Sequence, residues 1–87
     1  MTNVDLTLIG KPGCHLCDEA REVIRSVVAE LPAGAPVVAV GERNILEDAE
    51  SYDRYVEEIP VVLIDGRVHT YWRVDPARLR TAILEAV

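Results

Sequence analysis

The chain has no phenylalanine, one tryptophan, one methionine and three tyrosines among 87 residues. Its core must therefore be filled by Val, Leu, Ile and Ala. Basic residues are few as well: nine Lys and Arg stand against 15 Asp and Glu, a net charge of −6. That sign opposes a nucleic-acid backbone or an anionic membrane as the partner, and its plain role is solubility. No apolar run approaches the ~20 residues of a membrane span. The first ten residues, MTNVDLTLIG, lack a basic segment and a long enough apolar run for a secretory signal, so a cytoplasmic location is expected. There are no repeats, linkers or low-complexity tracts, and residues 1–87 read as one domain. A domain of this size buries only about 60–65% of its unfolded surface, so its stability is thin.

What is present is a regular alternation of patterns. Val4, Leu6 and Leu8 share one face of a strand, with Ile9 apolar on the other. Gly10, Pro12 and Gly13 break it as loop formers. From Cys14 the period changes: Leu16, Ala20, Val23, Ile24, Val27, Val28 and Leu31 make one wide apolar helix face. The run Val37–Val40 suits an inner strand covered on both faces. Asn44 and Glu47 fit a capping box, with Ile45, Ala49, Tyr52 and Val56 at helical spacing after it. Val61–Ile64 is a second buried strand, Asp65-Gly66 a two-residue hairpin turn, and Val68–Trp72 its antiparallel return. On that return Tyr71 and Trp72 should point to opposite faces, one into the core and one towards a site. Asp75 caps a last helix with Pro76 at its first position; Leu79, Ala82, Ile83, Ala86 and Val87 are its stripe. The class is α/β, in the order β-α-β-α-β-β-α, with helices on both faces of a mixed sheet.

Both cysteines lie in KPGCHLC, Cys14 where loop becomes helix and Cys17 three residues on. Positions three apart are neighbours on a helix face, close enough for a disulfide. Such a bridge closes a very short loop and adds little by constraining the unfolded chain. A redox role explains the pair better. Unpaired N–H groups and the positive dipole end at a helix start stabilise a thiolate, the attacking species. Lys11 and a protonated His15 push the same way; Asp18 and Glu19 oppose them. Cys17 shares a face with Ala20, Ile24 and Val28 and should lean inward, leaving Cys14 the nucleophile and Cys17 the resolving thiol. The plain alternative for His15 is a solvated residue at a helix start, and His69 reads as an ordinary strand residue.

These segments together carry a resemblance. A strand, KPGCHLC, an amphipathic helix, then EIPVVLIDGR before a final helix resembles the thioredoxin-fold proteins of glutaredoxin type. The chain is most similar to the short glutaredoxin-like family of uncharacterised bacterial proteins. The resemblance spans nearly the whole chain and implies a thioredoxin-like, four-stranded mixed sheet with three helices. It implies a cis Pro60 facing the cysteine pair, and an Ile59 backbone that pairs with an extended substrate. Lys11 matches a lysine that contacts a glutathione carboxylate, so glutathione is a candidate co-substrate, with no tightly bound cofactor expected. Three departures stand out. His15 replaces the usual proline, Gly13 stands where thioredoxins carry tryptophan, and HTYWRVD replaces a Gly-Gly and acidic segment. Arg73 or the N–H groups after Asp75 are then the candidates for a carboxylate, while Trp72 either lines the groove or fills it.

The leading expectation is a thiol–disulfide oxidoreductase, monomeric, acting on a disulfide-containing protein or on glutathione. Two alternatives stay open. A metal or iron–sulfur site would need ligands beyond one Cys-x-x-Cys, for instance from a second chain. A non-catalytic binding module would keep the fold and use only its groove.

Overall fold

The computed structural model describes residues 3–86. Val87, assigned above to the last helix stripe, lies outside them. Four strands, β1 (Asn3–Gly10), β2 (Val37–Asn44), β3 (Val61–Ile64) and β4 (Arg67–Tyr71), form one sheet in the order β2-β1-β3-β4. β1 runs parallel to β2 and antiparallel to β3, and β3 pairs antiparallel with β4. The helices are α1 (His15–Ala29), α2 (Ala49–Tyr55) and α3 (Pro76–Glu85), with a 3₁₀ turn at Ile45–Glu47.

The period-two pattern of β1 divides the core. Leu6 and Leu8, with Val62 of β3, face Ala20, Ile24 and Val27 of α1 and Leu79 and Ile83 of α3. Ile9, Val61 and Leu63 face the other way, under Ile45 and the half-buried Tyr55, Val56 and Ile59. The aliphatic core that the missing phenylalanines demanded is thus split into two layers by the sheet. At the hairpin, Asp65 and Gly66 both adopt positive φ, 50° and 82°, as a type I′ turn requires. The Asp65 N–H donates to the Asp5 carbonyl at 2.8 Å, and the Asp5 N–H returns a bond to Asp65 Oδ1 at 2.9 Å.

Four elements differ from the sequence expectations. β2 is not an inner strand: it lies at the sheet edge, with Val37 and Val40 55% and 50% exposed. Its polar continuation Glu42-Arg43-Asn44 belongs to the same strand, with Glu42 and Arg43 in solvent and Asn44 half-buried. The expected single helix from Asn44 is broken in two. Asn44 caps only the 3₁₀ turn, accepting from the Leu46 N–H. The extended backbone of Asp48 then interrupts the chain, and its carboxylate starts α2 by accepting from the N–H of Glu50 and Ser51 and the Ser51 hydroxyl. The break rotates the helix, so Tyr52 is exposed and Ser51 buried. Trp72 has left β4 and sits in the left-handed region at φ 62°. Tyr71 and Trp72 therefore do not split between core and site; both are exposed, with ring centroids 6.2 Å apart. Gly10, finally, is not loop but the buried last residue of β1, paired with Asn44.

An ion pair ties α1 to β2. Arg21 Nε and Nη2 donate to the Glu42 carboxylate at 2.8–3.1 Å, and Arg21 Nη1 donates to Asp18 at 2.8 Å. The guanidinium hydrogen bonds hold the Glu42 carboxyl below the ordinary carboxylate range. A carboxylate depressed in the folded state stabilises above its unfolded pKa, and that stabilisation is lost as pH falls through the folded value. Glu42→Gln should therefore lower stability by about 0.5–1 kcal/mol at pH 7, the size of a solvent-screened pair. The difference from the parent should vanish on acidification below the carboxylate range. Denaturant titrations at both pH values check this; an unchanged gap at low pH would rule out the ion pair as its source.

Candidate functional site

The site is built where the central strand stops and the first helix starts. β1 ends at Gly10, and Pro12 and Gly13 turn the chain, Gly13 at φ 75°. Cys14 then takes the N-cap position with extended backbone (φ −95°, ψ 113°). Its carbonyl accepts from the Asp18 N–H at 3.1 Å, and its Sγ accepts from the Cys17 N–H at 3.2 Å. Sulfur thus does what a Ser or Asp oxygen does at most helix starts. The two cysteines are joined as a disulfide with α-carbons 5.2 Å apart. Cys14 is half-buried, while Cys17 is 1% exposed.

Gly10 makes room for the inner sulfur. A β-carbon at Gly10 would lie 2.7 Å from Cys17 Sγ and 3.2 Å from its Cβ. No special φ is needed there, so the requirement is for empty space. Sequence reading took Gly10 as a strand terminator; its signal was a glycine in a strand, which often marks such a close approach. The antiparallel register that sets Ile9 opposite Val61 brings the preceding Pro60 beside Gly10. Pro60 is buried and the Ile59–Pro60 peptide is cis. Ile59 is half-buried, just outside the β3 ladder.

Of the remaining predicted residues, Lys11, Trp72 and Arg73 fall into two depressions near the α1 start. Lys11 is exposed and lines one of about 290 Å³ with Gly10, Asp18, Arg43 and Asn44. Trp72 and Arg73 line another of about 440 Å³ with Leu16, Glu19, Val23 and Val74. His15 is exposed at the first position of α1. Trp72 is pinned: its backbone N–H donates to the Pro60 carbonyl at 2.7 Å, and its indole N–H to the Glu57 carbonyl at 3.3 Å. The indole lines the groove without closing it. The N–H groups after Asp75 are not open to a ligand. Asp75 Oδ1 accepts from Ala77 and Arg78 at 2.9 and 3.1 Å. Asp18, expected to oppose a thiolate, instead pairs with Arg21.

His69 lies apart, at the β4 bulge where pairing shifts between Val62 and Leu63. Its carbonyl accepts from Arg78, and burial first, then the Arg78 charge, pushes its imidazole below the ordinary histidine value. Among the described residues no group of three or more His, Cys, Asp or Glu is placed to hold a metal ion. No helix among them is long and apolar enough to cross a membrane.

A cysteine pair at the start of the helix that follows a central strand, in a four-stranded mixed sheet with three helices, places this molecule in the thioredoxin-fold class. More narrowly, the chain belongs to the glutaredoxin-like domain family (DUF836), whose model matches residues 5–84. An uncharacterised protein of Mycobacterium tuberculosis is 30% identical over 83 residues, covering 95% of this chain and 86% of that protein. A glutaredoxin-like protein of Dictyostelium discoideum is 24% identical over 78 residues, covering 88% and 72%. Among solved structures, one from X. campestris is 34% identical with a TM-score of 0.68, covering 87% of this chain and 91% of that one. A thioredoxin from Halobacterium salinarum is 22% identical with a TM-score of 0.63, covering 99% and 79%, which bears on the fold alone. This fold with its close cysteine pair supports a redox function.

The Gly10 contact generates a test. Gly10→Ala should destabilise the oxidised protein by about 1–3 kcal/mol, as overpacking of a filled site does. In a Cys17→Ala background, where the sulfur is gone, most of that cost should disappear. Denaturant melts of the four proteins measure the coupling; equal costs in both backgrounds would show that Gly10 is not there for the sulfur.

Proposed function

We propose that the protein is a dithiol–disulfide oxidoreductase in which Cys14 is the nucleophile and Cys17 the resolving thiol. The observation that carries this reading is the Cys14 Sγ at the N-cap, accepting the Cys17 N–H at 3.2 Å with the shielded Cys17 sulfur bonded to it. In the reduced protein the same N–H and the helix dipole favour the Cys14 thiolate. That thiolate attacks one sulfur of a substrate disulfide. A Cys14–substrate disulfide forms, the substrate S–S bond breaks, and one substrate thiolate leaves and takes up a proton. Cys17 gives up its proton and attacks Cys14 Sγ, closing the Cys14–Cys17 bond and expelling the second substrate thiol. Two electrons pass from the protein dithiol to the substrate, and a second dithiol must restore the reduced form.

Roles for the surrounding residues follow. Gly10 and Pro60 hold Cys17 under the nucleophile. In this scheme the backbone at Ile59, at the mouth of β3, pairs with an extended substrate. Trp72, Leu16 and Val74 offer it apolar wall, with Arg73 beside them. Of the two substrate classes, a protein disulfide fits better than glutathione. Asp75 already satisfies the α3 N-terminus, so its N–H groups are not free for a glutathione carboxylate. A cytoplasmic setting would keep the dithiol reduced between turnovers.

Trapping tests the scheme. Cys17→Ser should accumulate a covalent adduct through Cys14 with an oxidised polypeptide, released by added thiol. Cys14→Ser should form none. Mass spectrometry of the unreduced mixture reads the result. Absence of any Cys14 adduct in the Cys17→Ser protein would refute the assignment.

A further inference from the structure

The groove bearing Trp72 is apolar inside and charged unevenly at its margin. Leu16, Val23 and Val74, all half-buried, line it with the exposed indole, around a volume of about 440 Å³. It adjoins the redox site: Leu16 is two residues past Cys14, and the Trp72 N–H is bonded to the Pro60 carbonyl. Three exposed charged residues line it as well, Glu19 and Glu22 on α1 and Arg73 after β4. Among the described residues the Glu19 carboxylate has no ion-pair partner, and Glu22 stands 3.7 Å from Arg25 with both side chains mostly in solvent. A contact of that kind neutralises little. On the far side of the indole, the Glu57 carbonyl that accepts its N–H is followed by Glu58. Other cations are engaged or turned elsewhere: Arg21 is held by Asp18 and Glu42, and Lys11 lines the other depression.

We propose that Glu19 and Glu22 make the site selective for disulfides in basic polypeptide segments, with a Lys or Arg two to four residues from the reacting cysteine. This rests on the oxidoreductase reading above and names its substrate class. Helix geometry sets the spacing. Glu19 and Glu22 lie five and eight residues beyond Cys14, about 7.5 and 12 Å along a helix axis. An extended chain covers those distances in about two to four residues. The chemistry of the groove suits a long basic side chain. Its methylenes lie on Trp72 and Val23 while its charged end reaches a carboxylate, and a cation is also attracted to the indole face. Arg73 acts in the opposite sense, but one guanidinium against two carboxylates leaves the margin negative. The net charge of −6 draws the same partner from a distance. The exchange itself is unaltered: the Cys14–Cys17 dithiol supplies both electrons, and the peptide disulfide becomes two thiols.

Single-turnover exchange tests this. The reduced protein is mixed with symmetric disulfides of two peptides, alike except for lysines or glutamates flanking the cysteine on both sides. Each rate is divided by that of the same peptide with dithiothreitol, which removes the peptide's own reactivity. The lysine peptide should react about threefold faster or more at low salt. The preference should shrink at about 1 M salt, where charges are screened within about 3 Å. Glu19→Gln combined with Glu22→Gln should bring the ratio of the two peptides close to one, and Arg73→Gln should raise it. The ratio cancels any effect of these changes on Cys14 itself. Hydroxyethyl disulfide, small and uncharged, reports the underlying exchange alone. If it reacts but the lysine peptide has no advantage, or the advantage survives in the double variant, charge selection is overturned and the oxidoreductase reading stands. If no disulfide reacts, both fall.

Discussion

One close approach organises this molecule: the α-carbon of Gly10 against the sulfur of Cys17. A strand that ends in a side chain could not bring the first turn of α1 so near. With the inner sulfur seated there, Cys14 falls at the N-cap, and its own sulfur becomes the acceptor for one of the helix's unsatisfied N–H groups, that of Cys17. The rest of the fold serves that placement. β1 is fixed in the middle of the sheet by β2 and β3, α1 is clamped by Leu79 and Ile83 of α3, and β3 delivers Pro60 to the same end.

The electrostatics fit an exchange site more than a structural bridge. A three-residue separation constrains almost nothing in the unfolded chain, and the bond lies where an anion is favoured. An acidic protein would seem a poor host for a thiolate. Yet the carboxylate nearest in sequence, Asp18, is paired with Arg21, which also grips Glu42. The Asp18 charge is thus drawn to the β2 side, while Glu19 and Glu22 stay on the groove bearing Trp72. That groove is shaped by a costly conformation: a tryptophan in the left-handed region, of order 1–3 kcal/mol, held by two carbonyl acceptors. Strain of that kind tends to collect where surfaces meet partners.

Sequence patterning disclosed the parts whose physics is local. The 3.6-residue period of α1, the Asp65-Gly66 turn, the Asp75-Pro76 helix start and the difference in burial between Cys14 and Cys17 all follow from neighbours along the chain. Strand order does not: an uninterrupted apolar run is equally consistent with an inner strand or with an edge, so β2 was misplaced. Asp48 broke a helix that Asn44 and Glu47 announced, because its side chain offered the backbone a competing start. Trp72 left its strand through bonds to Glu57 and Pro60, twelve or more residues away. At the site, the cysteines could be read from spacing, but the space at Gly10 exists only in three dimensions.

The central claim is that the α1 start holds Cys14 as a thiolate. The pH dependence of Cys14 alkylation in the reduced protein measures this most directly, with Cys17→Ser used to assign the reacting sulfur. The account predicts an apparent pKa at least about one unit below the ~8.5 of an ordinary thiol. A value at or above the ordinary one, in a folded protein, would contradict it.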